Sequence, residues 1–235
     1  MRTQGFSIME MLVVLAIAAV LLSIAVPSFT QSLTNSRVQA IAESIQSGLV
    51  RARSESINRN APVRFQLVSN LLSTCAKTST AGYWLVTQYT SVTNPVNTRG
   101  NPTAACNIAA YTPPDQEEPC PATPAYSGAA ASCQADPFIA YKSSADTIVS
   151  VTVAGTPTTG TSPAAFVVTF GPLGQLLDSL EGAVPAASAA GVVFEVLVSP
   201  TAPLTGREWK IQVSSNGGIK LCDPNAAVGS TLICA

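Results

Sequence analysis

The sequence predicts an α+β protein in which one long N-terminal helix, half membrane-spanning and half amphipathic, packs on an antiparallel β-sheet head. Three observations carry that expectation. Residues 6–26 form an apolar run with a single charge, Glu10. A helical hydrophobic pattern then continues through residues 30–60. Beyond Pro62 the pattern gives way to short β-branched and aromatic segments, and all six cysteines, Cys75, Cys106, Cys120, Cys133, Cys222 and Cys234, lie in that part of the chain.

The first half of the helix is assigned to residues 6–29. At about 1.5 Å per residue, a run of 21 residues spans roughly 30 Å, the thickness of the bilayer hydrocarbon. The rival reading is a cleaved secretory signal, which needs a basic start, an apolar run of about 7–15 residues and a small-x-small cleavage site. Here the basic start is Arg2 alone, and the apolar character runs past Pro27 into the helical pattern without a cleavage-like break. A retained anchor is therefore expected. Glu10 is out of place in it, because a carboxylate inside a membrane helix costs on the order of 2.5–3.5 kcal/mol even on the lenient insertion scale. From the residues alone two readings stand: Glu10 snorkels to water at the cytoplasmic interface, or it has work to do within the membrane.

In the second half, residues 30–60, Val38, Ile41, Ile45, Leu49 and Ala52 recur at three- and four-residue steps and mark one apolar stripe, expected to pack against the head. Arg37, Glu43, Arg51, Arg53 and Glu55 occupy the remaining faces, with Arg51 and Glu55 one turn apart. Asn58, Asn60 and Pro62 end the pattern.

The head is assigned to residues 61–235. Segments 63–68, 83–89, 148–153, 165–170, 192–198 and 208–213 are short, rich in β-branched and aromatic residues, and bounded by glycine, proline and asparagine. Ser215-Asn216-Gly217-Gly218 separates the last of these from Ile219-Lys220-Leu221, a hairpin signal. Successive strands without helices between them imply an antiparallel sheet or two packed sheets. Residues 91–137 fit no strand pattern. They are rich in Pro, Asn, Thr and Ala, carry Cys106, Cys120 and Cys133, and hold Arg99 against Asp115, Glu117, Glu118 and Asp136. With Cys75 nearby, this stretch reads as a disulfide-stapled surface insertion.

Six cysteines without a close CxxC pair, in a chain with no histidine, read as disulfides rather than metal ligands. Disulfides persist in an oxidising compartment, which places the head in the periplasm or outside the cell. Cys222 and Cys234 bracket a short Asp-Pro-Asn loop at the end of the chain and form the expected pair; the pairing of the other four is open. The lack of histidine also removes the usual general base, and neither a phosphate-binding P-loop nor a dinucleotide fingerprint is present. The acidic residues Asp115, Glu117 and Glu118 lack the loop pattern of a calcium site and read as solvated charge. No enzyme activity, metal or cofactor is expected.

Gly5-Phe6-Ser7-Ile8-Met9-Glu10, followed by the apolar run, resembles the class III signal of type IV prepilins and type II secretion pseudopilins. The resemblance implies a leader of residues 1–5, cut by prepilin peptidase between Gly5 and Phe6, and methylation of the new amine on Phe6. It makes Glu10 the fifth mature residue, which in the family is thought to pair with the N-terminal amine of a neighbouring subunit during assembly. Pro27 falls where many pilins have a helix-bending proline. Within that family the head resembles the GspH/FimT group, of which FimU is one kind, on the strength of Val167-Val168-Thr169-Phe170-Gly171-Pro172-Leu173-Gly174 and Glu208-Trp209-Lys210-Ile211-Gln212-Val213. The implied fold is pilin-like.

What the resemblance implies is a non-enzymatic minor pilin or pseudopilin that helps initiate assembly or form the tip complex of a type IV pilus or a type II secretion pseudopilus. Its partners are then other minor and major pilins or pseudopilins, prepilin peptidase and the inner membrane, crossed once with the N-terminus cytoplasmic and the head periplasmic. The alternative within the same group is a FimT-like competence pilin that binds DNA for uptake. Residues 61–235 carry seven Lys or Arg against ten Asp or Glu, and the closing hairpin offers only Arg207, Lys210 and Lys220. Phosphate binding needs a clustered basic footprint, so nucleic acid is not an expected partner.

Overall fold

The computed structural model describes residues 7–72, 75–88, 109–110, 135–136, 139–144, 151–157, 166–177 and 191–234. The chain opens with one α-helix, α1 (Ile8–Arg59), of 52 residues. It continues through position 27 as a single element, so the backbone hydrogen bond that a proline cannot donate does not end the helix there. From Ile8 to Leu33 its described side chains are exposed except the half-buried Ala18, and Thr34 is the first buried one. Beyond that point Val38, Ala42, Ile45, Leu49 and Ala52 are completely buried, with Ile41 partly covered beside them. The expected stripe is therefore the face that meets the head. Asn60, in the left-handed region at φ 48°, closes the helix and donates its backbone N–H to the carbonyls of Ile57 and Ser56. Glu55 pairs with Arg59 rather than with Arg51, whose guanidinium lies 5.1 Å over the ring of Tyr141.

Among the described residues ten strands follow: β1 (Val63–Val68), β2 (Tyr83–Gln88), β3 (Ala109–Ala110), β4 (Ala135–Asp136), β5 (Ile139–Lys142), β6 (Val151–Pro157), β7 (Val167–Phe170), β8 (Val192–Pro200), β9 (Trp209–Ser214) and β10 (Ile219–Cys222). Two four-stranded antiparallel sheets result, ordered β5-β2-β1-β7 and β10-β9-β8-β6. Strands β3 and β4 form a separate parallel pair. This corrects the reading of residues 91–137 as free of strands. A two-residue pairing, Ala109 with Ala135 and Ala110 with Asp136, leaves no alternation for a sequence pattern to report.

Helix and sheets share one core. The α1 stripe meets Phe65 and Val86 of the first sheet and Val196 and Ile211 of the second, all buried. A row of rings ties the layers together. Trp84 stacks on Phe65 with centroids 5.8 Å apart, Phe65 meets Phe166 edge-on at 6.3 Å, and Phe166 meets Phe194 edge-on at 5.7 Å. Gly48 lets the helix lie close against the first sheet. A Cβ there would stand 2.8 Å from Phe65 Cε2 and 2.9 Å from the Trp84 indole. One turn earlier, Trp84 Nε1 donates to Ser44 Oγ at 3.1 Å, satisfying the buried indole N–H.

Candidate functional site

Glu10 lies in the first turn of α1 and is exposed. The backbone N–H groups of Glu10 and Met11 both donate to the carbonyl of Ser7, at 3.1 and 3.2 Å. A carboxylate is favoured here by the positive end of the helix dipole. Its neighbours Ile8, Met9, Met11 and Leu12 are all exposed apolar side chains. Among the described residues Glu10 makes no ion pair or side-chain hydrogen bond. The helix is long and apolar enough to cross a membrane, and its most apolar stretch is wholly uncovered by the head. Gly5 and Phe6 lie outside the described residues, as does the side chain of Pro27.

At the other end of the helix, two turns from different parts of the sequence lock against the last two helical turns. The turn after β7 places Gly174 at φ 76°, where an added Cβ would lie 2.9 Å from Ile57 Cδ1. Arg53 Nε donates to the Gly174 carbonyl at 3.1 Å. The β9–β10 turn places Gly217 at φ 78° directly over that carbonyl, so that a Cβ on Gly217 would fall 1.9 Å from the Gly174 oxygen. The segments 167–174 and 208–213, distant in sequence, thus end in turns that interlock over Arg53. Sequence reasoning singled out both segments but gave no reason for their association; Arg53 and Gly48 were missed as packing residues.

The closing hairpin and the tail behind it are tied down. Cys222 and Cys234, the pair expected from the sequence, form a disulfide with Cα atoms 5.0 Å apart. Cys75 is disulfide-bonded to a partner outside the described residues, where Cys106, Cys120 and Cys133 also lie. The three basic residues of this region all have intramolecular partners. Arg207 pairs with Asp223 at 2.8 Å and lies 4.8 Å over the Trp209 ring. Lys210 reaches Glu195 at 3.3 Å, and Lys220 donates to the carbonyl of Ile233 at 2.8 Å. Among the described residues no cluster of His, Cys, Asp and Glu is arranged to hold a metal ion.

A helix left bare over its first half and covered by two antiparallel sheets over its second, with a lone acid in its first turn, defines a pilin-like subunit. The prokaryotic N-terminal methylation motif matches residues 1–26. The family model of the type II transport protein GspH matches residues 42–217, from the buried half of α1 to the turn between β9 and β10. The chain belongs to the GspH family, the minor pilins and pseudopilins of type IV pili and type II secretion systems. Among the solved structures similar to it are those of two proteins. One is the type IV minor pilin FimU of Pseudomonas aeruginosa strain PAO1, at 12% identity over 83% of this chain and 95% of that one, with a TM-score of 0.41. The other is the minor pseudopilin EpsH from the type II secretion system of Vibrio cholerae, at 10% identity over 81% and 99% of the two chains, with a TM-score of 0.39. No curated protein matches this chain.

Proposed function

We propose that this chain is a non-enzymatic minor subunit that helps initiate or cap a type IV pilus or a type II secretion pseudopilus. In this reading residues 1–5 are a leader removed by prepilin peptidase between Gly5 and Phe6, and the new amine on Phe6 is methylated. Residues 6–29 cross the inner membrane once, residues 30–60 carry the helix into the head, and residues 61–235 form the head on the periplasmic side. The subunit then leaves the membrane to join other minor and major pilins or pseudopilins.

The observation that carries the reading is Glu10, the only charge in a bare apolar half-helix. An unpartnered carboxylate in hydrocarbon is costly, and the terminal amine of an adjacent subunit would relieve the desolvation of both groups. The disulfide between Cys222 and Cys234 supports an oxidising location for the head. Arg207 and Lys210 are paired with Asp223 and Glu195, which lowers the positive charge that the closing hairpin presents.

The test is co-purification of Glu10→Ala and Glu10→Gln variants with filament partners from cells that express the machinery. Both are expected to be processed normally and to be recovered with partners at one tenth or less of the wild-type yield, about the factor set by 1.4 kcal/mol. Recovery equal to wild type removes the docking role of Glu10. Intact mass gives a second check: the mature chain should lack Met1 to Gly5 and carry a methyl group, and a chain that starts at Met1 overturns the processing step.

A further inference from the structure

The place where the helix leaves the head is held by a chain of contacts that ends in the C-terminal disulfide. Asn35 stands one residue after Thr34, the first buried position of α1. Its Oδ1 accepts a hydrogen bond from the backbone N–H of Arg207 at 2.8 Å. Gly206 allows this approach, since a Cβ there would lie 2.4 Å from the same oxygen. The Arg207 side chain is held between the Trp209 ring and Asp223, to which its Nε donates at 2.8 Å. Asp223 is itself buried and fixed on every side: Oδ1 accepts from the Asn225 N–H, and its own N–H donates to the Leu232 carbonyl, both at 2.8 Å. It directly follows Cys222, and its bridge partner Ile233 directly precedes Cys234. The disulfide therefore closes the loop that aims Asp223 at Arg207, and Arg207 presents its backbone to the helix.

We propose that Asn35, Arg207 and Asp223 are positioning residues. Together they transmit the closure of the Cys222–Cys234 loop to the neck of the molecule and fix the direction in which the anchor leaves the head. This network meets α1 at one turn, through the Arg207–Asn35 hydrogen bond, whereas the disulfide lies at the far end of the head sequence. A subunit whose tail loop is open keeps its folded core but loses a fixed neck. Its consequence for assembly rests on the filament-subunit reading; the neck itself does not.

The experiment is amide hydrogen exchange on the full chain in detergent micelles, comparing wild type with Asn35→Ala, Asn35→Asp, Asp223→Asn and a Cys222→Ser/Cys234→Ser double variant. Asn35→Ala should speed exchange at the Arg207 amide about fivefold, the factor that one ordinary hydrogen bond is worth. The double serine variant should produce the same acceleration at Arg207 and raise exchange across residues 31–37, while β1 and β2 exchange as in wild type. Asn35→Asp retains an acceptor and should behave as wild type. Asp223→Asn should match the double serine variant at Arg207, and adding Asn35→Ala to it should change little. Unchanged exchange at Arg207 and residues 31–37 in the double serine variant overturns the proposal, as does acceleration spread equally over β1 and β2. Recovery of the variants with filament partners is read beside Glu10→Ala. A loosened neck with wild-type recovery overturns the assembly consequence, whereas loss on Glu10→Ala alone leaves the docking role of Glu10 intact.

Discussion

Gly48 sets the distance between α1 and the first sheet. A glycine inside a helix ordinarily costs about 1 kcal/mol relative to alanine, so replacing one on an open helix face stabilises the protein. At Gly48 the sign reverses, because the incoming methyl group meets Phe65 and Trp84, two buried rings with no room to retreat. Gly48→Val is expected to destabilise by about 2 kcal/mol, lowering the melting temperature by roughly 4–8 °C in a chain of this size. Thermal unfolding followed by near-ultraviolet dichroism of the two tryptophans measures it. An unchanged or raised melting temperature would mean that the helix does not sit this close to the sheet. A second pair of glycines separates backbone strain from steric interlock. Gly191 and Gly217 have nearly the same positive φ, 75° and 78°, but only Gly217 faces an obstacle, the Gly174 carbonyl. Alanine at Gly191 should cost about 1 kcal/mol, the strain of a left-handed residue. Alanine at Gly217 should cost at least twice as much as at Gly191. Equal losses at the two positions would remove the interlock over Arg53.

At the scale of elements, the aromatic row is what makes two sheets into one head. Phe166 lies between them, outside any strand, with Phe65 on one side and Phe194 on the other. It also presses on Gly155 of β6, where a Cβ would come within 2.7 Å of its ring. Phe166→Ala is expected to cost about 3–5 kcal/mol, whereas Leu173→Ala, at a side chain 83% exposed, should stay within about 0.5 kcal/mol. Chemical denaturation of the two variants gives the comparison, and similar losses would contradict the assigned core. The same elements show what the sequence could and could not reveal. Strands β1, β8 and β9 were legible because buried β-branched and aromatic residues fill them between clear turn signals. Strand β6 was placed several residues too early, since its observed span contains Gly155 and Pro157, which local propensity excludes from strands. An edge position tolerates them, and Phe166 fills the space the glycine leaves. Strand β5 was missed because four residues with one buried alanine carry no detectable alternation. Glu10 stood out in the sequence because a charge in an apolar run is conspicuous in one dimension. The neck contacts did not, because Asn35, Arg207 and Asp223 acquire their meaning only when residues far apart in the chain meet.

Across the whole molecule, the division of labour along α1 separates what folds the head from what anchors it. Among the described residues every buried side chain lies at Thr34 or later, and the exposed apolar residues from Ile8 to Leu33 contribute nothing to the core. A head that begins at residue 31 retains Thr34, Asn35 and the whole apolar stripe. It should be soluble without detergent and melt within about 2 °C of the full chain in micelles, because no buried apolar area is lost. Removing the anchor also turns Asn35 from a mid-helix residue into one of the first turn, where helices fray. Its bond to the Arg207 backbone then becomes the contact that stops α1 from unwinding off the head. Asn35→Ala should accordingly increase proteolysis after Arg37 more in the truncated head than in the full chain, where the preceding turns hold the helix closed. Equal cleavage rates in the two contexts would show that the helix is held at this end by its own continuity rather than by the head.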